Sequence, residues 1–196
     1  ERPNFIKARE AMKRESHRIL GNYLMEQMKG LPAYRYQKAF LFGCTQPDIN
    51  PFTYLKGSRR AQRLRGHNYR NAERCMSRMA RLLEAREQWR MLDYYRLGKL
   101  IHYTSDAFTY AHNETFDKSI HEHRLYEMQL QRIFKITLAL SRRAENEMNR
   151  EEESAMEAIR AAHERYMEGM RSLQTDVQYI LGMTHQVFST LIPEAA

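Results

Sequence analysis

Two short constellations carry residue types that could bind a metal. In the stretch from Leu97 to Phe108, His102 and Asp106 stand four residues apart. Four residues is about one helical turn, so the imidazole and the carboxylate project from one face. Leu97, Leu100, Ile101, Tyr103 and Phe108 flank them, which makes the helix apolar on most sides and mostly buried. A buried carboxylate beside a histidine must be hydrogen-bonded or bound to a cation. His112 follows shortly, and His123 and Glu127 repeat the four-residue spacing on a face shared with Ile120 and Phe134. Nitrogen and oxygen ligands at one-turn spacing can grip one cation from a single helix. Three of them, leaving one place for water, is the arrangement of catalytic zinc. The alternative is a set of histidine–carboxylate hydrogen bonds satisfied within a core, and spacing leaves both open.

The elements that must position these residues are helical. The chain has 196 residues, 42% of them hydrophobic, with 8 Gly and 5 Pro, a composition that suits a packed helical core and argues against a turn-rich all-β fold. Leu20, Tyr23, Leu24 and Met28 recur at helical spacing before Gly30-Leu31-Pro32, so a first helix is expected from about Lys7 to Lys29, with His17 on its apolar face. A short helix is expected over Tyr34 to Phe42. Gly43 to Pro51, with two prolines, reads as an irregular loop. Ala72, Cys75, Met76, Met79, Leu82 and Leu83 form the apolar side of an amphipathic helix with arginines opposite. Further helices are expected from about Gln88 to Tyr110, from Phe116 to Leu140, and as a pair between Arg142 and Leu191 that breaks at Gly169 or Gly182. Arg143 to Glu168 reads as an outer helix without chemistry. The expected fold is all-α, one multi-helix bundle over residues 1–196 with the metal site between helices.

Charge is concentrated rather than spread. The net charge is +8, and residues 56–90 carry eleven basic residues (Lys56, Arg59, Arg60, Arg63, Arg65, Arg70, Arg74, Arg78, Arg81, Arg86, Arg90) against Glu73, Glu84 and Glu87, a local excess of +8. Such a stripe favours an anionic lipid surface or nucleic acid, or is a solvated helix face. No run of about 18 apolar residues exists to span a membrane. Cys44 and Cys75 are too few for a disulfide framework and read as buried thiols.

In chain order the candidate residues are His17, Pro47-Asp48-Ile49, His67, His102-x3-Asp106-x5-His112 and His123-x3-Glu127. Five of the 8 histidines therefore fall where they could face a common interior. His121, His163 and His185 do not, and are expected to be exposed or hydrogen-bonded. This order resembles the zinc-dependent phospholipase C family, whose wider superfamily includes the S1/P1-type nucleases, over about Ser16 to Met128.

The resemblance implies two or three zinc ions in an all-α fold. Asp48, His67, His102 and Asp106 would hold the first, and His112, His123 and Glu127 the second. His17 would hold the third, with Asp106 bridging the first and third. Secreted members complete that third site with an N-terminal Trp; here residue 1 is Glu and the single Trp is Trp89. Choline-hydrolysing members resemble one another in an aromatic after the loop aspartate, where this chain has Ile49, so phosphatidylcholine is not the expected substrate. Closely spaced zinc ions would offset the charge that grows on a phosphodiester and lower the pKa of a water to about 7. Asp48 is the candidate to receive that water's proton.

The expected function is thus metal-dependent hydrolysis of a phospholipid or other phosphodiester, with peripheral contact to anionic membrane through the 56–90 stripe. One rival is an S1/P1-like nuclease, in which the same stripe grips a sugar-phosphate backbone. Another is a non-catalytic helical module that docks to membrane or nucleic acid. A di-iron bundle needs Glu-x-x-His pairs, HD-type phosphohydrolases resemble one another in an adjacent His-Asp, and zincins need HExxH; the sequence has none of these. The two cysteines and the charged Glu1–Ser16, in which no apolar signal-like stretch is visible, favour the cytoplasm, while the resemblance favours secretion; the cytoplasm is the expectation.

Overall fold

The computed structural model describes residues 4–28 (side chains from residue 14), 32–50, 68–116, 118–141 and 154–192. These form α1 (Asn4–Glu26), α2 (Tyr34–Ile49), α3 (Tyr69–Glu84), α4 (Met91–Ala107), a 3-10 turn (Tyr110–His112), α5 (Ile120–Ser141), α6 (Ala155–Glu168) and α7 (Leu173–Leu191). The architecture among the described residues is all-α, as the composition implies. No helix among them is long and apolar enough to cross a membrane.

Helix α4 lies at the centre, packed against α1, α2, α3 and α7. Its start is secured by Asp93, whose carboxylate accepts from the Arg90 backbone N–H at 3.0 Å and from the Arg96 guanidinium at 2.8 Å. From Leu97 onward it is so enclosed that Leu97, Leu100, Ile101 and Phe108 are wholly buried, together with Phe40, Met76 and Val187 from its neighbours. Burying each such side chain stabilises the fold by roughly 1.5–3 kcal/mol. Helix α3 begins at Asn68, whose side chain accepts from the Arg70 N–H at 2.9 Å. It buries Ala72, Met76, Met79, Ala80 and Leu83 and leaves Arg70, Arg74, Arg78 and Arg81 exposed.

Helices α2 and α4 run in the same direction. Tyr36 stacks on Tyr94, Phe42 on Tyr95, and Cys44 lies beside His102. They meet backbone to backbone through Gly43 and Gly98: a methyl on Gly43 would strike the Tyr95 carbonyl oxygen, and one on Gly98 the Phe40 carbonyl oxygen. This close approach delivers the Cys44 carbonyl to the central helix.

Several sequence expectations are corrected. The expected loop from Gly43 onward is the second half of α2, which runs through Pro47 to Ile49. Pro47 removes the N–H that would bond the Gly43 carbonyl, but burial of Gly43, Cys44, Pro47 and Asp48 outweighs that local cost. Asp48 therefore stands on the last turn of a helix. Helix α4 stops at Ala107 rather than Tyr110, because Asn113 donates to the Ala107 and Thr109 carbonyls, both at 3.0 Å, and closes the helix end. The break between α6 and α7 falls at Gly169, and Gly182 lies inside α7. Helix α6 is no mere outer helix, since it buries Met156, Ile159, Ala162 and Tyr166. Cys44 is buried as expected, whereas Cys75 is only partly covered.

Candidate metal centre

The inner part of the site is built from α1, α2 and α4. His17 comes from α1, Asp48 from the end of α2, and His102 and Asp106 from α4. All four are buried. His17 Nε2 lies 3.5 Å from Asp106 Oδ1 and 3.8 Å from Asp48 Oδ2. His102 Nε2 lies 3.2 Å from Asp106 Oδ2 and 4.0 Å from Asp48 Oδ1. The two imidazole rings are 3.9 Å apart between centroids.

The tautomer of His102 is set by the backbone. Its Nδ1 stands 2.8 Å from the Cys44 carbonyl oxygen, which can only accept, so Nδ1 carries a proton and donates. Nε2 is left to face two carboxylates, and the space between them takes either a second proton or a cation. Burial opposes charge on His102, but Asp106 and Asp48 together overcome it and push its pKa up. In His17 burial dominates, reinforced by the neighbouring His102, and its pKa falls. Burial alone would raise the Asp106 pKa, yet His112 and His102 hold the carboxyl well below the usual range.

The outer part is His112, on the 3-10 turn, with His123 and Glu127 from α5. Glu127 Oε1 lies 3.1 Å from His112 Nε2 and 2.9 Å from His123 Nε2. The rings of His112 and His123 stack at 5.6 Å, and Phe116 meets the His123 ring edge-on at 5.5 Å. His112 also joins the two parts, because its Nδ1 lies 3.0 Å from Asp106 Oδ1. The His123 side chain is 27% exposed whereas that of His102 is 0%, so solvent reaches the site over α5.

Two sets of donor atoms, one each from His17, Asp48 and His102 and one each from His112, His123 and Glu127, lie within 4.8 Å of one another in each set and could hold a metal ion. Imidazole nitrogen and carboxylate oxygen, with no thiolate, suit zinc. Cys44 contributes its carbonyl and not its sulfur; burial pushes that thiol's pKa up. The donor set therefore fits the ion that the chemistry calls for.

The chemistry is matched by the family to which the sequence corresponds, since the model for zinc-dependent phospholipase C matches residues 16–173. The chain belongs to the zinc-dependent phospholipase C family. No curated protein and no solved structure matches it.

In this member of the zinc-dependent phospholipase C family, seven of the eight residues singled out from sequence lie in one contiguous cluster: His17, Asp48, His102, Asp106, His112, His123 and Glu127. His67 lies outside the described residues. Asp106 was expected to serve His17 and His102, and it also meets His112, a contact that spacing along the chain does not reveal. His121 is exposed, and His163 is hydrogen-bonded through Nε2 to Asn113 Oδ1 at 3.0 Å. Sequence reasoning missed the supports. The Cys44 carbonyl leaves no trace in residue type. Asn113 beside His112 and the lone Asp176 in an apolar helix were the available signals.

Proposed function

We propose that this chain is a phospholipase C-type hydrolase that cleaves the phosphodiester bond of a phospholipid at two or three zinc ions. The observation that carries the proposal is the convergence of seven nitrogen- and oxygen-bearing side chains, from four helices and a 3-10 turn, in a member of a zinc-dependent phospholipase C family. In this reading Asp48, His67, His102 and Asp106 hold one zinc, and His112, His123 and Glu127 hold another. His17, 3.5 Å from Asp106, shares that carboxylate with the first set and holds a third. Bound there, zinc supplies Lewis-acid stabilisation of the phosphoryl oxygens and makes a neighbouring water more acidic.

The remaining work belongs to the protein. The Cys44 carbonyl keeps His102 in the one tautomer whose Nε2 faces the pocket. Asp48, buried at the end of α2, takes the proton of the attacking water on a carboxylate oxygen. The closed inner wall of His17, His102 and Asp106 excludes bulk water from that oxygen, while the more open His123 side admits the headgroup. The exposed arginines of α3, within the 56–90 stripe, attract an anionic membrane surface and raise the local concentration of substrate.

The test is hydrolysis by the zinc-loaded protein of a short-chain phospholipid and, separately, of single-stranded DNA. Release of a phosphorylated headgroup that is abolished by a chelator supports the proposal. Cleavage of the DNA with the lipid left intact would replace it with the nuclease reading, and no hydrolysis of either by protein that has bound zinc would overturn it.

A further inference from the structure

Asp176 is absent from the resemblance and lies beyond the residues that the family model matches. It sits in the first turns of α7 with no exposed surface, and its two oxygens collect donors from three other elements. Oδ2 accepts from the Tyr110 backbone N–H at 2.9 Å and from the Tyr126 hydroxyl at 2.8 Å. Oδ1 accepts from the Tyr166 hydroxyl at 2.8 Å. Tyr110 opens the three-residue turn that ends in His112. Tyr126 immediately precedes Glu127 on α5. A single oxygen thus ties together the two segments that carry the outer donors.

Such a tie has work to do at this place. A three-residue 3-10 turn has too few internal bonds to hold a side chain in register by itself. Its far side is secured by Asn113, which donates to Ala107 and Thr109 and accepts from His163. Its near side is secured by Asp176. The 3.1 Å between His112 Nε2 and Glu127 Oε1 is a distance between the turn and α5, and Asp176 is bonded to both.

We propose that Asp176 is a positioning residue for zinc, which sets the separation of His112 and Glu127 by anchoring the Tyr110 turn and α5 to one carboxylate oxygen. The proposal rests on reading His112, His123 and Glu127 as zinc ligands. Asp176 itself does not touch the metal or the substrate. Tyr166 provides an internal control, because its hydroxyl bonds the other oxygen of that carboxylate from α6, a helix that carries none of the outer donors.

The experiment is a competition titration of zinc against a chromophoric chelator, run beside thermal unfolding of the zinc-free proteins. The outer site is the step that His123→Ala removes. Tyr126→Phe is expected to weaken that step about tenfold, the low end of what loss of a ligand's supporting hydrogen bonds costs. Tyr166→Phe is expected to lower the unfolding temperature with zinc affinity unchanged. Asp176→Ala should weaken the outer step at least as much as Tyr126→Phe. Asp176→Asn, which keeps an acceptor for Tyr110 and Tyr126, should restore most of the affinity. Equal effects of Tyr126→Phe and Tyr166→Phe on zinc, or full outer-site affinity in Tyr126→Phe, would overturn the proposal even if Asp176→Ala fails to fold. A wild-type protein that binds no zinc would instead overturn the metal reading on which it stands.

Discussion

Gly98→Ala tests how the helix pair α2–α4 builds the site. A methyl at residue 98 would meet three backbone atoms: the Phe40 carbonyl oxygen, the Cys44 nitrogen at 2.8 Å and Gly43 Cα at 3.0 Å. None of these can swing aside like a side chain, so α2 must retreat by about 1 Å to restore van der Waals spacing. The His102–Cys44 hydrogen bond, 2.8 Å in the native chain, would then exceed bonding range. Overpacking costs about 1–3 kcal/mol and the lost buried bond about 1–3 kcal/mol more, against about 1 kcal/mol gained from replacing a helical glycine. A net loss of about 1–5 kcal/mol corresponds to a fall of about 2–20 °C in Tm for a chain of this size. Freed of its carbonyl, His102 also loses its enforced tautomer, and zinc affinity should drop at least tenfold. Gly182→Ala is the matched control, since nothing lies within 4 Å of a methyl there, and it should raise Tm by a few degrees. Thermal unfolding by circular dichroism and zinc titration read both effects. A Gly98→Ala protein with native Tm and native zinc affinity would refute the reasoning.

Three further outcomes are expected. Asp48→Asn should retain much of the zinc, because the other donors persist, yet lose at least a hundredfold in turnover as the proton acceptor disappears; unchanged hydrolysis would remove Asp48 from that role. Chelation should lower Tm and re-addition of zinc should restore it, by about 2.7 kcal/mol at a hundredfold excess over Kd, whereas a Tm indifferent to zinc would separate the pocket from metal binding. Burial pushes the His163 pKa down to about 4 from 6.5, so the unfolded chain takes up a proton that the folded ring resists. His163 therefore contributes stability above pH 6.5 that is lost as pH falls towards 4, about 1–2 kcal/mol once solvent screening of the partly exposed ring is allowed for. His163→Gln should flatten that part of the stability–pH curve, and an unchanged slope would contradict the assignment.

Much of the site was legible because helical spacing alone places His102 with Asp106 and His123 with Glu127. The apolar flanks around them say that both pairs face inward. What spacing within one helix cannot encode is the distance between helices. The contact of His112 with Asp106 depends on where α4 ends, which Asn113 decides through two carbonyls. The loop expected around Asp48 failed for a related reason: Pro47 is a local breaker, and only the packing of α2 along α4 shows that the helix survives it. Helix α6 read as charged and peripheral, but its buried face carries Tyr166 to Asp176, a partnership of two residues with no sequence pattern in common.

The central claim is that these side chains surround zinc, and X-ray diffraction from crystals of the zinc-loaded protein, recorded on both sides of the zinc absorption edge, tests it most directly. The account predicts anomalous peaks that appear only above the edge, one among Asp48, His102 and Asp106 and one among His112, His123 and Glu127, with a third beside His17 if three ions bind. Well-ordered density for these seven side chains with no anomalous peak between them would contradict it.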